Sequence, residues 1–272
     1  MPAKERSARR GESIPGNSPA GRFERAGWKW GLGFDAVTYF VSVIFLAALR
    51  PRAREHRPRA EVGSIYRALG RDVAEGARLT VRSRTVLGPI LALVLLWMAG
   101  GILHVAGTTL LRQRLGTFVS GTGGLLSAVG FGMVAGTILT AWTGRRWSPR
   151  LSMAAGLLGT GVALLLFARA FSLVALLAVA FAAGIFVAIL LVTTESAVQA
   201  AVDASARGRV FALRDVSTRL AVLAVAGVTG LLLGRGWIAP AGAVSASGVA
   251  LLLGGTAALF ARRPSSPPPA SR

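Results

Sequence analysis

The sequence predicts an all-α membrane protein with about seven transmembrane helices, and three observations predict it. Hydrophobic residues make up 53% of the 272-residue chain and charged residues only 15%, too apolar for a water-soluble domain of this length. Apolar stretches recur from Leu32 to Ala261. At roughly 1.5 Å of helix rise per residue, they suit a hydrocarbon core about 30 Å thick. Lys and Arg, finally, gather in the segments between those stretches.

The elements follow in order. Residues 1–26 begin basic and polar with no apolar run behind them, so they are no signal peptide. They read as a disordered or non-native N-terminal segment. Residues 27–49 hold the first transmembrane helix, Leu32 to Leu49, interrupted only by Asp35. Residues 50–86 form a cytoplasmic connector in which Val62, Ile65, Leu69, Val73 and Ala77 recur every three or four positions. Arg67, Arg71 and Arg78 fall between them, the pattern of an amphipathic basic helix along a membrane surface.

Residues 87–262 carry six further stretches, a six-helix unit. Leu87 to Ala106 has Pro89 at its entrance, where a helix tolerates proline. Leu115 to Gly144 runs 30 residues without a charge, more than one crossing needs, so its first part reads as an outer loop. Leu151 to Ala168, Ala170 to Thr194 and Gly236 to Ala261 are each long enough to cross. Leu220 to Gly234 is only 15 residues and reaches crossing length by extending back past Arg219, whose long side chain can snorkel to the interface. Residues 263–272, with a Pro-Ser-Ser-Pro-Pro-Pro run, read as a disordered tail. Trp28, Trp30, Trp142, Trp147 and Trp237 sit at stretch ends as interfacial aromatics do, whereas Trp97 is mid-stretch and reads as apolar bulk.

Charge sets the orientation. The segments 50–86, 145–150, 200–219 and 262–272 hold 20 Lys and Arg, while the opposite side after residue 33 holds only Arg112, Arg114, Arg169 and Arg235. The first group is therefore cytoplasmic, and the expected location is the inner (plasma) membrane, multi-pass, with the C-terminus inside. Seven Lys and Arg within residues 1–33 are unusual for an external segment, which points to a reading frame that starts inside a longer gene or, as the alternative, to a first segment that does not insert alone. Reporter fusions after Arg59 and after Arg263 should both score cytoplasmic; opposite scores would sink the seven-span arrangement.

Composition also narrows the chemistry. The chain has no Cys and only His56 and His104, which leaves no disulfide, no thiolate metal site and little scope for zinc. No metal or cofactor is expected. The net charge of +20 fits the anionic cytoplasmic face of a bilayer better than nucleic acid, because the basic residues lie between apolar runs. An enzyme is not expected either. No His follows His104, so an intramembrane Ser–His pair with a downstream histidine cannot form, and the only lysines, Lys4 and Lys29, exclude a retinal Schiff base in the last span.

Particular residues stand out against this background. Gly132 and Gly136, Gly230 and Gly234, and the group Gly156, Gly159 and Gly161 have the small-residue spacing of helix-packing seams, or of surfaces that slide between conformations. Asp35, close to the predicted outer interface, is either an N-terminal helix cap or a partner for the helix dipole, or else a proton or substrate contact. Glu195, at a predicted cytoplasmic end, is either a solvated carboxylate or half of a gating salt bridge with Arg207 or Arg209.

Three stretches carry a family resemblance. Gly33 to Val43 (Gly-Phe-Asp-Ala-Val-Thr-Tyr-Phe-Val-Ser-Val) resembles the sixth span of major facilitator efflux permeases of the macrolide- and siderophore-exporter kind. Gly130 to Leu139 (Gly-Phe-Gly-Met-Val-Ala-Gly-Thr-Ile-Leu) with Gly144-Arg145-Arg146 is similar to the eighth span and its basic turn, though the turn lacks the acidic residue often found there. Arg207-Gly208-Arg209-Val210-Phe211-Ala212-Leu213 resembles the turn before the eleventh span. The resemblance covers about residues 27–262, and places the stretches as spans six to twelve, the C-terminal part of such a permease. It implies proton-coupled efflux of a small hydrophobic compound by rocking of two six-helix halves, with Asp35, Glu195, Arg207 and Arg209 as transport or gating candidates. The partners implied are the lipid bilayer, an unnamed small-molecule substrate, and a missing N-terminal half or a second copy. The alternative is an inactive half-transporter with a structural role or none.

Overall fold

The structure is a computed structural model and describes residues 19–48, 76–78, 80–115, 119–144, 146–204 and 206–260. Most of the connector expected to form an amphipathic helix, and the tail, lie outside the described residues. The chain divides into two compact units, Met1–Glu61 and Val62–Arg272.

The first unit contributes α1, Pro19–Ala48. Proline suits the first helical position because its missing N–H has no intrahelical acceptor there. The helix therefore starts eight residues before the boundary expected at residue 27, and Asp35 lies well inside it. This removes the helix-cap reading of Asp35. Leu32–Ala48 is apolar but only 17 residues long, with Phe34, Phe40 and Phe45 exposed. Its hydroxyls bond back into the helix, Thr38 Oγ1 to the Asp35 carbonyl at 2.7 Å and Ser42 Oγ to the Thr38 carbonyl at 2.8 Å. Side-chain groups satisfied within their own turn need no water, as a lipid-facing helix requires.

In the second unit α2 spans Arg84–Ile102, passes through a π-helical turn at Leu103–Gly107, and continues as α3, Thr108–Leu115. A π-turn loosens the carbonyl ladder, and here two hydroxyls bond to it. Thr108 Oγ1 donates to the His104 and Val105 carbonyls, and Thr109 Oγ1 to Val105. Then follow α4 (Val119–Thr143), α5 (Pro149–Arg169), α6 (Leu173–Ala201), α7 (Arg207–Gly234) and α8 (Pro240–Phe260). Among the described residues, six helices, all of this unit, are long and apolar enough to cross a membrane, against the seven spans expected for the whole chain.

The junctions explain themselves locally. Ser148 Oγ accepts from the Leu151 N–H with Pro149 opening α5, and Ser172 Oγ accepts from the Ala175 N–H at the start of α6. Past the end of α7, Gly236 takes φ +70°, where a side chain would be strained. The Trp237 N–H then reaches the Leu232 carbonyl and the Gly236 N–H the Leu233 carbonyl, satisfying two otherwise orphaned acceptors. Arg114 closes the end of α5 from outside, its guanidinium donating to the Ala168 and Ala170 carbonyls at 2.7 and 2.6 Å while lying over Phe171.

Other boundaries differ from expectation as well: the first crossing of this unit runs on to Leu115 and α6 to Ala201. α4 begins at Val119, so the outer loop before it is shorter than the 30-residue charge-free run suggested. Arg207, Gly208 and Arg209 form the first turn of α7 and not the loop before it.

Packing follows a regular scheme. α4 lies along α6, α5 packs against α6 and α8, and α2 packs against α6, α7 and α8. Exchanging the first three crossings (α2–α3, α4, α5) with the last three (α6, α7, α8) turns the main interfaces into one another. The α4–α6 interface becomes α7–α2, the α5–α6 interface becomes α8–α2, and the α2–α6 and α5–α8 interfaces map onto themselves. Leu157, Leu176, Leu190, Val244 and Leu251 are fully buried within this unit.

Where helices meet most closely, glycine permits it. A Cβ added at Gly132 would run into the Phe181 carbonyl oxygen, one at Gly136 into that of Ile185, and one at Gly184 into that of Val129. Gly156 faces Leu190, Gly159 the Phe186 ring, and Gly161 the Gly248 carbonyl. These seams fall where the sequence spacing placed them. Gly230 and Gly234 do not fit that expectation: among the described residues the nearest atom to a Cβ at 230 is Val105 Cγ1 at 4.0 Å, and none lies within 4 Å of one at 234. The reason is that α7 packs chiefly against α2, and the rest of its circumference is not covered by the described residues of this unit.

Candidate functional site

A cavity of about 550 Å³ opens between α2, α6 and α7. Each helix presents positions four apart, one turn above another on a single face. α2 gives Leu93 and Trp97, and α6 gives Leu191 and Glu195. α7 gives two adjacent rows, Arg214, Thr218, Val222 and Ala226 beside Asp215, Arg219 and Leu223. The cavity is polar at the end nearest the start of α7 and apolar beyond Arg219. Sequence reading treated Trp97 as apolar bulk, but its ring, 47% exposed, lines the wall.

The polar end is organised by Arg214. Its Nη1 bonds Glu195 Oε1 across from α7 to α6, while Nη2 and Nε bond Asp215 Oδ1 at 2.7 and 3.1 Å. The Phe211 ring backs the guanidinium, 4.7 Å from its centroid to Cζ. A planar fork can serve two carboxylates at once, which a point-charge ammonium cannot do as well. Beneath this cluster Val86, Ile90, Val198 and Val210 form a small apolar plug, with Phe211 packed on it. Thr218, buried, donates back to the Arg214 and Asp215 carbonyls.

The structure scatters the four residues singled out from sequence. Glu195 is in the cavity wall, bonded to Arg214, which sequence reading did not consider in place of Arg207 or Arg209. Arg207 Nε donates to the Val202 carbonyl at 3.1 Å and so caps the end of α6. Arg209 does not line the cavity; its backbone packs on Gly76, whose added Cβ would lie 3.1 Å from the Arg209 carbonyl oxygen. Asp35 belongs to the other unit. Arg214, Asp215 and Arg219 were legible as a basic, cytoplasmic stretch but not as a site, because their meaning depends on α6 standing opposite.

His104 is exposed within the π-turn. Among the described residues no group of three His, Cys, Asp or Glu could hold a metal.

Six apolar crossings, hydroxyls satisfied within their own helices and glycine-mediated seams define a multi-pass α-helical membrane protein. Neither a family model, nor a curated protein, nor a solved structure matches the chain.

Proposed function

We propose that the second unit is one half of an alternating-access transporter of the major facilitator type, exporting a small hydrophobic compound in exchange for protons. The observation that carries this reading is the three-plus-three packing scheme. Each set has three crossings, an odd number, so the two sets run in opposite senses through the bilayer. Inverted repeats of this kind underlie many secondary transporters, whose substrate sites lie at interfaces between repeats near the middle of the membrane. The cavity fits such a pathway, with mostly apolar walls and a charged cluster at one end. On this reading the opposite wall comes from a second six-helix unit, in another chain or another copy, and Glu195, Arg214 and Asp215 form the charged end of the pathway.

A structural bundle with no pathway is the competing reading, and water discriminates the two. Leu223 lines the cavity and is 72% exposed. Because the chain contains no cysteine, Leu223→Cys introduces a single thiol. A membrane-impermeant maleimide should label it, since only a hydrated thiol ionises to the reactive thiolate. Labelling should slow when a hydrophobic dye fills the cavity. A thiol that stays inert in intact and inside-out vesicles alike faces lipid, and the pathway reading fails.

A further inference from the structure

We propose that the cavity between α2, α6 and α7 binds an amphipathic anion, with its charged head on Arg219 and its apolar body along Trp97, Val222 and Leu223. As a statement about cargo this rests on the transport reading; as a statement about binding it stands apart from it. Four ionisable side chains line the cavity. Three of them, Glu195, Arg214 and Asp215, are engaged with one another. The fourth, Arg219, makes no hydrogen bond or ion pair with any of the described residues. Asp215 stands one turn before it on the same helix face, the usual place for a partner, but its Oδ1 is taken by the Arg214 fork.

Position matters as much as charge. Arg219 is the last charged residue before the 15-residue uncharged run Leu220 to Gly234. It therefore sits on the border between the polar end of the cavity and its apolar walls. A cation at the rim of an apolar slot recognises a molecule with the complementary arrangement, a carboxylate, sulfonate or phosphate on a hydrophobic body. Thr218 beside it has its hydroxyl turned to its own helix, so the Arg219 guanidinium is the cation placed to orient an anionic head. A free amphiphile and an acidic lipid share this chemistry.

The test compares two dyes with the same rings. 1-Anilinonaphthalene-8-sulfonate carries an anionic head and N-phenyl-1-naphthylamine carries none. The full chain is placed in phosphatidylcholine nanodiscs at high salt, which screens charge at the disc surface. Arg219→Gln should weaken binding of the sulfonate dye about tenfold, the size expected for one lost charge-assisted hydrogen bond. Binding of the uncharged dye should be unchanged, which shows the cavity intact, and Arg219→Lys should keep most of the sulfonate affinity. Phosphatidylglycerol in the discs should lower wild-type sulfonate-dye affinity if the natural head is a lipid phosphate, and leave it unchanged if it is a free amphiphile; either result supports the shared chemistry. The proposal is overturned if Arg219→Gln leaves the sulfonate dye unaffected, if it weakens both dyes equally, or if the wild type binds neither. Because binding is read without transport, an inert thiol at position 223 removes the transport reading alone.

Discussion

Gly132→Val should prevent accumulation of folded protein, whereas Gly234→Val should be tolerated. A Cβ at 132 would overlap the Phe181 carbonyl oxygen and lie 3.1 Å from the Gly184 Cα. The obstacle is backbone on a neighbouring helix, so no rotamer change relieves it, and α4 must move away from α6 along their whole contact. Overpacking a core that can adjust costs about 1–3 kcal/mol. A rigid helix pair should lose at least that, and the close backbone approach that holds helices together in lipid would go with it. Gly136→Val should behave alike, since its Cβ would enter the Ile185 carbonyl. At Gly234 a side chain meets open space, and the effect should stay within about 0.5 kcal/mol. Monodispersity on size exclusion in detergent, followed by thermal unfolding, separates the two classes. If Gly132→Val and Gly234→Val elute and melt alike, the α4–α6 seam is not what holds these helices.

The contrast between those glycines shows how far the sequence could be read. Apolar length and the placement of Lys and Arg are properties of one segment at a time, so the six crossings of the second unit were visible without a structure. Spacing of small residues is also local, which is why Gly132 with Gly136, and Gly156 with Gly159 and Gly161, were picked out. Whether a neighbour stands opposite is not local. Gly230 and Gly234 have the same spacing as Gly132 and Gly136 but lie on a helix covered mainly by α2. The site shows the same division. Glu195 was expected at a helix end, but α6 runs on to Ala201, and its bond to Arg214 joins residues 19 positions apart on different helices. Trp97 reads as bulk in any one-dimensional view and becomes a cavity wall only beside Val222 and Leu223. The π-turn at Leu103–Gly107 left no sequence signal that was recognised, although Thr108 and Thr109, whose hydroxyls bond its carbonyls, stand directly after it.

Removing Arg214 should loosen the polar end of the cavity, and the loss should be shared with Glu195. α6 and α7 scarcely approach one another along their backbones, so apart from the Arg207 bond to the Val202 carbonyl at their junction, the tie between them is the Arg214–Glu195 bond and the small plug of Val198 and Val210. Arg214→Gln withdraws the charge from two carboxylates at once. A hydrogen bond to a charged group contributes about 1.5–3 kcal/mol when shielded, and a fully exposed ion pair about 0–1 kcal/mol. Here the Arg214 side chain is 15% exposed, but Glu195 is 36% and Asp215 55% exposed, so solvent screening discounts the upper figure. A loss of about 1–2 kcal/mol is expected, or several degrees of unfolding temperature for a unit of this size. Arg214→Lys should fall between, because an ammonium keeps the charge but cannot fork to both helices. The decisive measurement is the double variant Arg214→Gln with Glu195→Gln. If the pair ties α6 to α7, the second substitution costs little once the first is made, leaving a coupling of at least about 0.5 kcal/mol. Strictly additive losses in thermal unfolding would mean that the two side chains are solvated separately, and that the plug alone closes this end.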